Sequence, residues 1–189
     1  MGNFFAFISR MKFINRWSLM RNTSYESLSV HSHEVAIIAH ALCLIGNKRL
    51  GKNYDANKAA VIALYHDASE IITGDMPTPV KYFNNKIQTA YKDIEANACD
   101  KLLLMLPDDL KGEYKDILFY DDGFKKIIKS ADKISALIKC EEELKMGNLE
   151  FKKAYDSCYK AVVDMNCEEA DIFMKEFYGA YSLTLDELK

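Results

Sequence analysis

The sequence predicts an all-α protein, and three observations support this prediction. Apolar residues recur with helical spacing along most of the 189-residue chain, Gly and Pro fall between the periodic segments, and no segment alternates like a β-strand. The hydrophobic fraction of 49% is enough for one substantial core. Since no repeat, low-complexity tract or linker divides the chain, residues 1–189 are expected to form a single domain.

The first two predicted helices differ in how apolar they are. Phe4, Ile8 and Met11 share one face of a first helix, and the polar stretch 15–29 is predicted to be a loop. A second helix is predicted over 30–47. Apolar residues surround this helix almost completely, so it is expected to lie in the core.

The third predicted helix contains the apolar run AAVIALYHDASEII at 59–72. Asp55 or Asn57 would cap its start, and Gly74 suits the left-handed position just after its end. The segment 75–79 is predicted to be a loop, because its two prolines disfavour helix for themselves and their predecessors.

Five further helices account for the rest of the chain. Amphipathic spacing predicts a long helix, and the Pro-Asp-Asp sequence at 107–109 is predicted to cap a short helix. Gly-Asn at 147–148 ends the helix predicted over 124–145. The predicted segments are 87–105, a short helix from 107–109, 124–145, 151–165 and 168–178.

Charge and cysteine content exclude several classes of function. The net charge of −3 provides no basic surface for nucleic acid. Five cysteines without a C-x-x-C pair argue against a disulfide framework and a thiolate zinc site, and they favour the cytoplasm. Charged residues interrupt the apolar N-terminus, which does not resemble a signal peptide, and no run approaches a membrane span. We therefore expect a cytoplasmic protein that binds neither nucleic acid nor membrane.

Four polar residues interrupt segments that are otherwise apolar: His31, His66, Asp67 and Asp132. Burying such groups costs free energy unless each finds a partner. One divalent ion would pair with all four, and Mn²⁺, Fe²⁺, Co²⁺, Ni²⁺, Cu²⁺ or Zn²⁺ suits this mixture of imidazole and carboxylate. The alternative is that the His-Asp pair arises by chance and that His66 is a core histidine bonded to a carbonyl.

Glu70 follows His66 by four residues and Asp67 by three, so all three share one face if the helix is continuous. A carboxylate in that position is predicted to exchange a proton with an activated water without binding the ion.

Two further histidines are interpreted as not binding the ion. His31 and His40 are nine residues apart and point in opposite directions from one helix. His40, among apolar neighbours, is predicted to be a core histidine. His33 is predicted either to be exposed to solvent or to contact a metal-binding residue without binding the ion itself.

Two segments are candidates for substrate binding. Arg16 can grip a phosphate with its planar fork, and Trp17 can pack against a sugar or base. The alternative is an exposed arginine beside a tryptophan that only anchors the loop. The segment 75–78 follows the helix that carries the ligand pair and would overhang the site, although it could be merely a proline-stiffened exit. The substrate-binding candidates are thus Arg16, Trp17, Asp75, Met76, Pro77 and Thr78.

Longer stretches of the sequence resemble the bacterial 5′-deoxynucleotidase family of HD-domain metal-dependent phosphohydrolases. The resemblance runs nearly end to end, and the combination of Arg-Trp, HDASE and GDxPTPVKY is highly specific. The matching stretches are INRWSLMRN (14–22), VHSHEVAIIAHAL (30–42), LYHDASEIITGDMPTPVKYFN (64–84), KSADKISALIKCEEEL (129–144) and SLTLDEL (182–188).

The resemblance implies an HD-type helical bundle that hydrolyses deoxyribonucleoside 5′-monophosphates to deoxyribonucleosides and phosphate, discriminating against ribonucleotides. It also implies a homodimer that uses one divalent transition metal, with Co²⁺ effective in vitro and Mn²⁺ or Cu²⁺ as substitutes. The resemblance implies that the metal ligands are His31, His66, Asp67 and Asp132, and that His31, Asp67 and Asp132 also contact the substrate. It implies that Glu70 is the catalytic carboxylate, that Arg16 orients the phosphate as a catalytic residue, and that Trp17 selects the sugar. The nucleotide pocket is implied to consist of Asp75, Met76, Pro77 and Thr78.

The chain departs from the family pattern at two places. Val30 stands where the family often has Glu, and Ser18 stands where Pro is frequent. Neither change removes a ligand, but both bear on sugar selectivity. Two alternatives stay open: an HD phosphohydrolase acting on nucleoside triphosphates, cyclic or signalling nucleotides, and an inactive HD-fold binding or scaffold dimer.

Overall fold

Helices dominate the computed structural model, which describes residues 2–81 and 83–188 and, at Thr78, the backbone alone. The prediction of an all-α fold is confirmed, since the described residues contain one isolated β-bridge, between Asn15 and Ser27, and no strand. The helices are α1 (Phe4–Ile8), α2 (Leu28–Arg49), α3 (Ala56–Tyr65), α4 (Glu70–Thr73), α5 (Thr78–Lys81), α6 (Asn85–Leu103), α7 (Asp108–Leu118), α8 (Asp122–Lys145), α9 (Lys152–Asp164) and α10 (Glu168–Glu176), with 3₁₀ turns at Ser9–Phe13, Leu149–Phe151 and Tyr178–Ser182.

Helix α2 lies at the centre of the bundle, packed between α3 and α8. The Ser27 side chain caps it by accepting from the backbone N–H of Val30 at 3.3 Å, so the helix starts before the predicted residue 30. Its Leu42 is fully buried. The prediction that α2 lies in the core is confirmed for most of the helix, although one face, with Val30 and Ile37, is exposed.

The predicted third helix is interrupted. Asp55 caps α3 as expected, with the N–H of Lys58 at 2.9 Å, but α3 ends at Tyr65 and α4 begins only at Glu70. Between them the N–H of residue i bonds to the carbonyl of residue i−3, which is tighter than an α-helix. The prediction of one continuous helix up to Gly74 is therefore wrong.

The segment after Gly74 is less extended than predicted, because 78–81 forms the short helix α5. The N–H groups of Val80 and Lys81 bond to the carbonyl of Pro77 at 2.8 and 3.1 Å. Pro79 is tolerated here because the first turn of a helix needs no N–H donor from it. The prediction of a loop through 79 holds only for 75–77.

One helix departs from the expectation that no segment approaches a membrane span. By length and composition alone, α2 is long and apolar enough to cross a membrane. In the fold, 56% of its most apolar window is buried inside the protein, which is the behaviour of a core helix.

The polar stretch after the first 3₁₀ turn is a loop, as predicted, and it is fastened to α8. Buried Glu143 accepts from the backbone N–H of Thr23 at 2.9 Å and from its hydroxyl at 2.8 Å. Lys139, which pairs with Glu143, donates to the carbonyl of Ser24 at 2.7 Å. The loop that carries Arg16 and Trp17 is therefore held by the buried face of a core helix.

Candidate active site

Three elements bring the four predicted ligands together. His31 comes from the first turns of α2, His66 and Asp67 from the turn after α3, and Asp132 from the middle of α8. His31 Nε2 lies 3.2 Å from Asp132 Oδ1 and 3.7 Å from Asp67 Oδ2. His66 Nε2 lies 3.2 Å from Asp67 Oδ2. The interruption at Tyr65 thus turns His66 and Asp67 toward α2.

The four candidate ligands suit a metal ion because two of their nitrogen atoms have no hydrogen-bond partner. The Nε2 atoms of His31 and His66 are buried and have no hydrogen bond of acceptable geometry among the described residues. Ligand atoms of His31, His66 and Asp67 lie within 4.8 Å of one another, and Asp132 adjoins this trio through its 3.2 Å approach to His31. Imidazole nitrogens and carboxylate oxygens around one point are a donor set for a divalent transition metal.

The pKa values of the group follow from its burial and its internal charges. Burial, and then the Arg16 charge, lowers the pKa of His31. Burial acts to raise the pKa of Asp67, but the facing His66 outweighs it, so the pKa lies below the usual value. The pKa of Asp132 is likewise lowered, since the close approach of His31 and the charges of Lys133 and Arg16 together outweigh burial. Both carboxyl groups are therefore ionised, as metal ligands must be.

A chain of two side chains supports His31 from behind. The Ser135 hydroxyl lies 3.0 Å from His31 Nδ1 and donates to Glu34 Oε2 at 2.7 Å. Since that hydroxyl directs its hydrogen at Glu34, its oxygen can accept a hydrogen bond from Nδ1–H, and this tautomer leaves Nε2 unprotonated. Burial raises the pKa of Glu34 to about 7. Sequence reasoning missed both residues, although each follows a ligand by three positions on its helix: Glu34 after His31 and Ser135 after Asp132.

Glu70 is buried, with Oε2 unpartnered among the described side chains. It opens α4 and does not continue the helix of His66, so the helical register that predicted its position is not what places it. Burial, followed by the charges of Asp67 and Asp75, raises the pKa of Glu70 to about 9. The Asp67 carboxylate is therefore close enough for its charge to raise the pKa of Glu70.

Arg16 reaches the same group from the loop. Its Nη2 lies 3.8 Å from Asp132 Oδ1, and its Nη1 contacts His31 Nδ1 and donates to Glu26 Oε2 at 3.2 Å. Its side chain is 14% exposed, so the alternative of a surface arginine is wrong. A protonated Nδ1 cannot accept from Arg16, so the tautomer that opens Nε2 also releases the guanidinium toward another acceptor.

A cavity of about 230 Å³ joins the two predicted substrate segments. Trp17 lines it while its ring packs on Phe151, with centroids 5.4 Å apart, so it anchors the loop and faces the cavity at once. The side chain of Thr78 lies outside what the structure describes. Sequence reasoning missed residues 18–20 and Pro79 on the wall. The lining residues are Arg16, Trp17, Ser18, Leu19, Met20, Asp75, Met76, Pro77 and Pro79.

The two histidines set aside from the site differ in exposure. His33 is exposed, in line with the prediction of a solvated group. His40 is half-buried rather than fully buried, so it lies at the edge of the core and not within it as predicted. One face of α2 is exposed to solvent near this position.

The architecture matches solved HD-domain phosphohydrolases. An HD-domain phosphohydrolase from Listeria innocua superposes with a TM-score of 0.81 at 22% sequence identity, covering 95% of this chain and 88% of that chain. The cyanophage S-2L HD phosphohydrolase DatZ, solved with dA and one catalytic Zn²⁺ ion, gives a TM-score of 0.64 at 18% identity, covering 95% and 96% of the two chains. The fold is that of the HD-domain phosphohydrolases, which confirms the prediction of an HD-type helical bundle.

Sequence comparison resolves the family within this fold. The model of the YfbR-like 5′-deoxynucleotidase family matches residues 3–181. A 5′-deoxynucleotidase of Photorhabdus laumondii is 49% identical over 193 aligned positions, which cover 100% of this chain and 97% of the relative. The chain belongs to the YfbR-like 5′-deoxynucleotidase family, and the resemblance inferred from its motifs is confirmed.

Proposed function

We propose that this chain is a metal-dependent 5′-deoxynucleotidase that hydrolyses deoxyribonucleoside 5′-monophosphates to deoxyribonucleosides and phosphate. The observation that carries the proposal is the juxtaposition of His31 and His66, each with an unpartnered Nε2, and a cavity that Arg16 and Trp17 line. Family membership supports the same activity.

The ligands proposed for the ion are His31, His66, Asp67 and Asp132. A divalent transition metal held there would supply positive charge to the phosphate and lower the pKa of the attacking water. Co²⁺ is the ion we expect to be effective in vitro, with Mn²⁺, Cu²⁺, Fe²⁺, Ni²⁺ or Zn²⁺ as substitutes. DatZ, a fold neighbour, was solved with one Zn²⁺. His31, Asp67 and Asp132 would hold the ion and would thereby also lie close to the substrate phosphate.

The proposed reaction forms a bond from water oxygen to phosphorus and breaks the bond from phosphorus to the 5′-oxygen. Arg16 stabilises charge that moves onto the phosphate oxygens, for which its burial beside Asp132 is suited. Glu70 exchanges the proton, either accepting it from the water or donating it to the 5′-oxygen. Trp17 packs against the sugar, and Asp75, Met76, Pro77 and Thr78 form the nucleotide pocket.

A panel of nucleotides and metals tests the proposal by measuring released phosphate. We expect Co²⁺ to support hydrolysis of deoxyribonucleoside monophosphates and poor hydrolysis of the matching ribonucleotides. Preferential turnover of triphosphates or cyclic nucleotides would replace this proposal with a related HD activity. Absence of turnover with every metal would favour an inactive binding protein.

We further propose that the enzyme is a cytoplasmic homodimer without nucleic-acid or membrane partners. Val30, Ile37 and Leu44 are exposed apolar residues seven positions apart, so they share one face of α2. Such a face is suited to contact a second copy. Sedimentation analysis of the wild type and Ile37→Glu tests this, and a monomeric wild type would contradict it.

A further inference from the structure

Glu26 is a buried carboxylate in a segment that is otherwise mostly exposed. It is 6% exposed, while its neighbour Tyr25 is 81% exposed. Its Oε2 accepts two hydrogen bonds, from Arg16 Nη1 at 3.2 Å and from the indole Nε1 of Trp17 at 3.0 Å. Its own carbonyl accepts from the backbone N–H of Arg16 at 2.9 Å. One residue therefore holds both of the adjacent side chains proposed to bind substrate.

The backbone of Trp17 needs such support. Its φ is +58°, a conformation that bulky residues rarely adopt and that costs about 1–3 kcal/mol. The Trp17 carbonyl accepts from Met20 N at 2.9 Å and from Asn22 Nδ2 at 3.1 Å. The indole itself donates a hydrogen bond to Glu26, and the Arg16 guanidinium that the same carboxylate holds lies 6.0 Å from the ring centroid.

The guanidinium is fixed by the same oxygen. Arg16 carries a buried positive charge, and Glu26 is the first of the carboxylates whose charges raise its pKa against the effect of burial. With Nη1 held by Glu26, Nη2 lies 3.8 Å from Asp132 Oδ1, at the edge of the ligand group. Glu26 therefore holds the guanidinium at the edge of the candidate ligand group.

We propose that Glu26 is a positioning residue that couples phosphate recognition by Arg16 to sugar recognition by Trp17. The inference rests on the proposed nucleotidase activity and adds to it a residue that touches neither substrate nor metal. Because one oxygen atom accepts both bonds, a displacement of either side chain is transmitted to the other. The enzyme then rejects a ribose by the same contact that orients its phosphate.

The sole tryptophan of the chain makes this coupling measurable without turnover. Since Trp17 is the only indole, intrinsic fluorescence reports the environment of that side chain alone. We would titrate the Co²⁺-loaded full chain with inorganic phosphate, which reaches Arg16 but has no sugar. In the wild type, phosphate is expected to change the Trp17 emission although it does not contact the ring.

Three variants separate positioning from folding. Glu26→Ala removes both bonds, Glu26→Gln keeps one oxygen acceptor but no charge, and Glu26→Asp keeps the charge on a shorter arm. Glu150→Gln is the matched control, because Glu150 accepts from the backbone N–H of Arg21 in the same loop at 3.2 Å and touches neither Arg16 nor Trp17. All variants are assayed at saturating Co²⁺, because Glu26 Oε1 also lies 3.9 Å from Nδ1 of the proposed ligand His31.

The expected result is a loss of coupling in Glu26→Ala. Its Trp17 emission no longer responds to phosphate, and its ratio of kcat/KM for dAMP over AMP falls about tenfold or more, the effect of losing a charged hydrogen bond. Glu26→Gln retains part of the ratio while KM rises for both nucleotides, and Glu150→Gln behaves as wild type.

Two outcomes would overturn the proposal. A folded Glu26→Ala variant with the wild-type ratio and the wild-type phosphate response would show that Glu26 only stabilises the fold. A wild type that releases no phosphate from any nucleotide would instead remove the proposed function and this inference with it. The control then distinguishes the two, because only in the first case does Glu150→Gln turn over dAMP.

Discussion

The imidazole of His66 donates from Nδ1 to the carbonyl of Ala63 at 2.7 Å, and this bond decides which nitrogen can bind an ion. A neutral ring that carries its proton on Nδ1 presents an unprotonated Nε2. Ala63 lies in the last turn of α3, so the end of the helix itself orients the ligand. The carbonyl bond considered from sequence as an alternative is therefore present, and it is compatible with the proposed role of His66 because it leaves Nε2 without a partner.

Replacement of His66 by Ala should abolish stabilisation by metal. An ion that binds only the folded chain stabilises it by about 2.7 kcal/mol at a hundred times its Kd. We therefore expect Co²⁺ to raise the Tm of the wild type and to leave the Tm of His66→Ala unchanged. His33→Ala, which removes an exposed histidine, is the control and should respond as the wild type does.

Loss of the Ser135 hydroxyl should weaken metal binding without removing a ligand. Partners behind a metal-binding histidine typically contribute 10–100-fold in affinity, so Ser135→Ala should raise the Kd for Co²⁺ by about that factor in calorimetric titration. Ser130→Ala removes another buried hydroxyl of α8 and should leave the Kd unchanged. Equal affinities in the two variants would rule out the support from Ser135.

Substitution of Glu70 should separate binding from chemistry. A group that transfers a proton in the transition state contributes about 10²–10⁴-fold, so Glu70→Ala should lower kcat by that factor while dAMP still binds. Quenching of Trp17 fluorescence measures the binding, and phosphate release measures the turnover. Wild-type turnover in this variant would remove Glu70 from the mechanism.

Acid should unfold the protein partly through Glu143. Burial acts to raise the pKa of this carboxyl, but hydrogen bonds from Lys139, Asn148 and Thr23 outweigh it and lower the pKa from 4.5 to about 2. A lowered pKa stabilises the fold above pH 4.5, by about 3 kcal/mol, and that contribution is lost as the pH falls toward 2.

Glu143→Gln should therefore be less stable than the wild type at pH 7 and should lose less further stability between pH 4.5 and 2. Urea denaturation at several pH values measures both. Glu142→Gln is the matched control, because burial raises the pKa of Glu142 and the sign of its contribution is opposite. A parallel loss in wild type and Glu143→Gln on acidification would contradict the assignment.

The helical class and the clustering of the four candidate ligands were predictable because both depend on residue type and spacing. His31 and Asp132 were recognised as polar interruptions of apolar helices, and the structure brings them within 3.2 Å. The break after Tyr65 was not predictable, because the sequence ASEII contains no Gly or Pro to interrupt a helix. The hydrogen bonds to residue i−3 at this position depend on tertiary packing. Glu26 was not recognised because a carboxylate between Tyr25 and Ser27 in a polar stretch is typical of an ordinary loop until its burial is known.

Both the loop that carries Arg16 and the candidate ligand His31 are held by side chains more than a hundred positions further along the chain. In the loop, Thr23 bonds to Glu143, 120 residues away. In α2, His31 contacts Ser135, 104 residues away. During synthesis on a ribosome, three of the four ligands therefore emerge long before α8 exists to complete their surroundings. The first 121 residues contain the His-Asp pair and the Arg-Trp pair but lack Asp132 and the Lys139 and Glu143 contacts to the loop, so phosphate release is expected only after translation has passed α8.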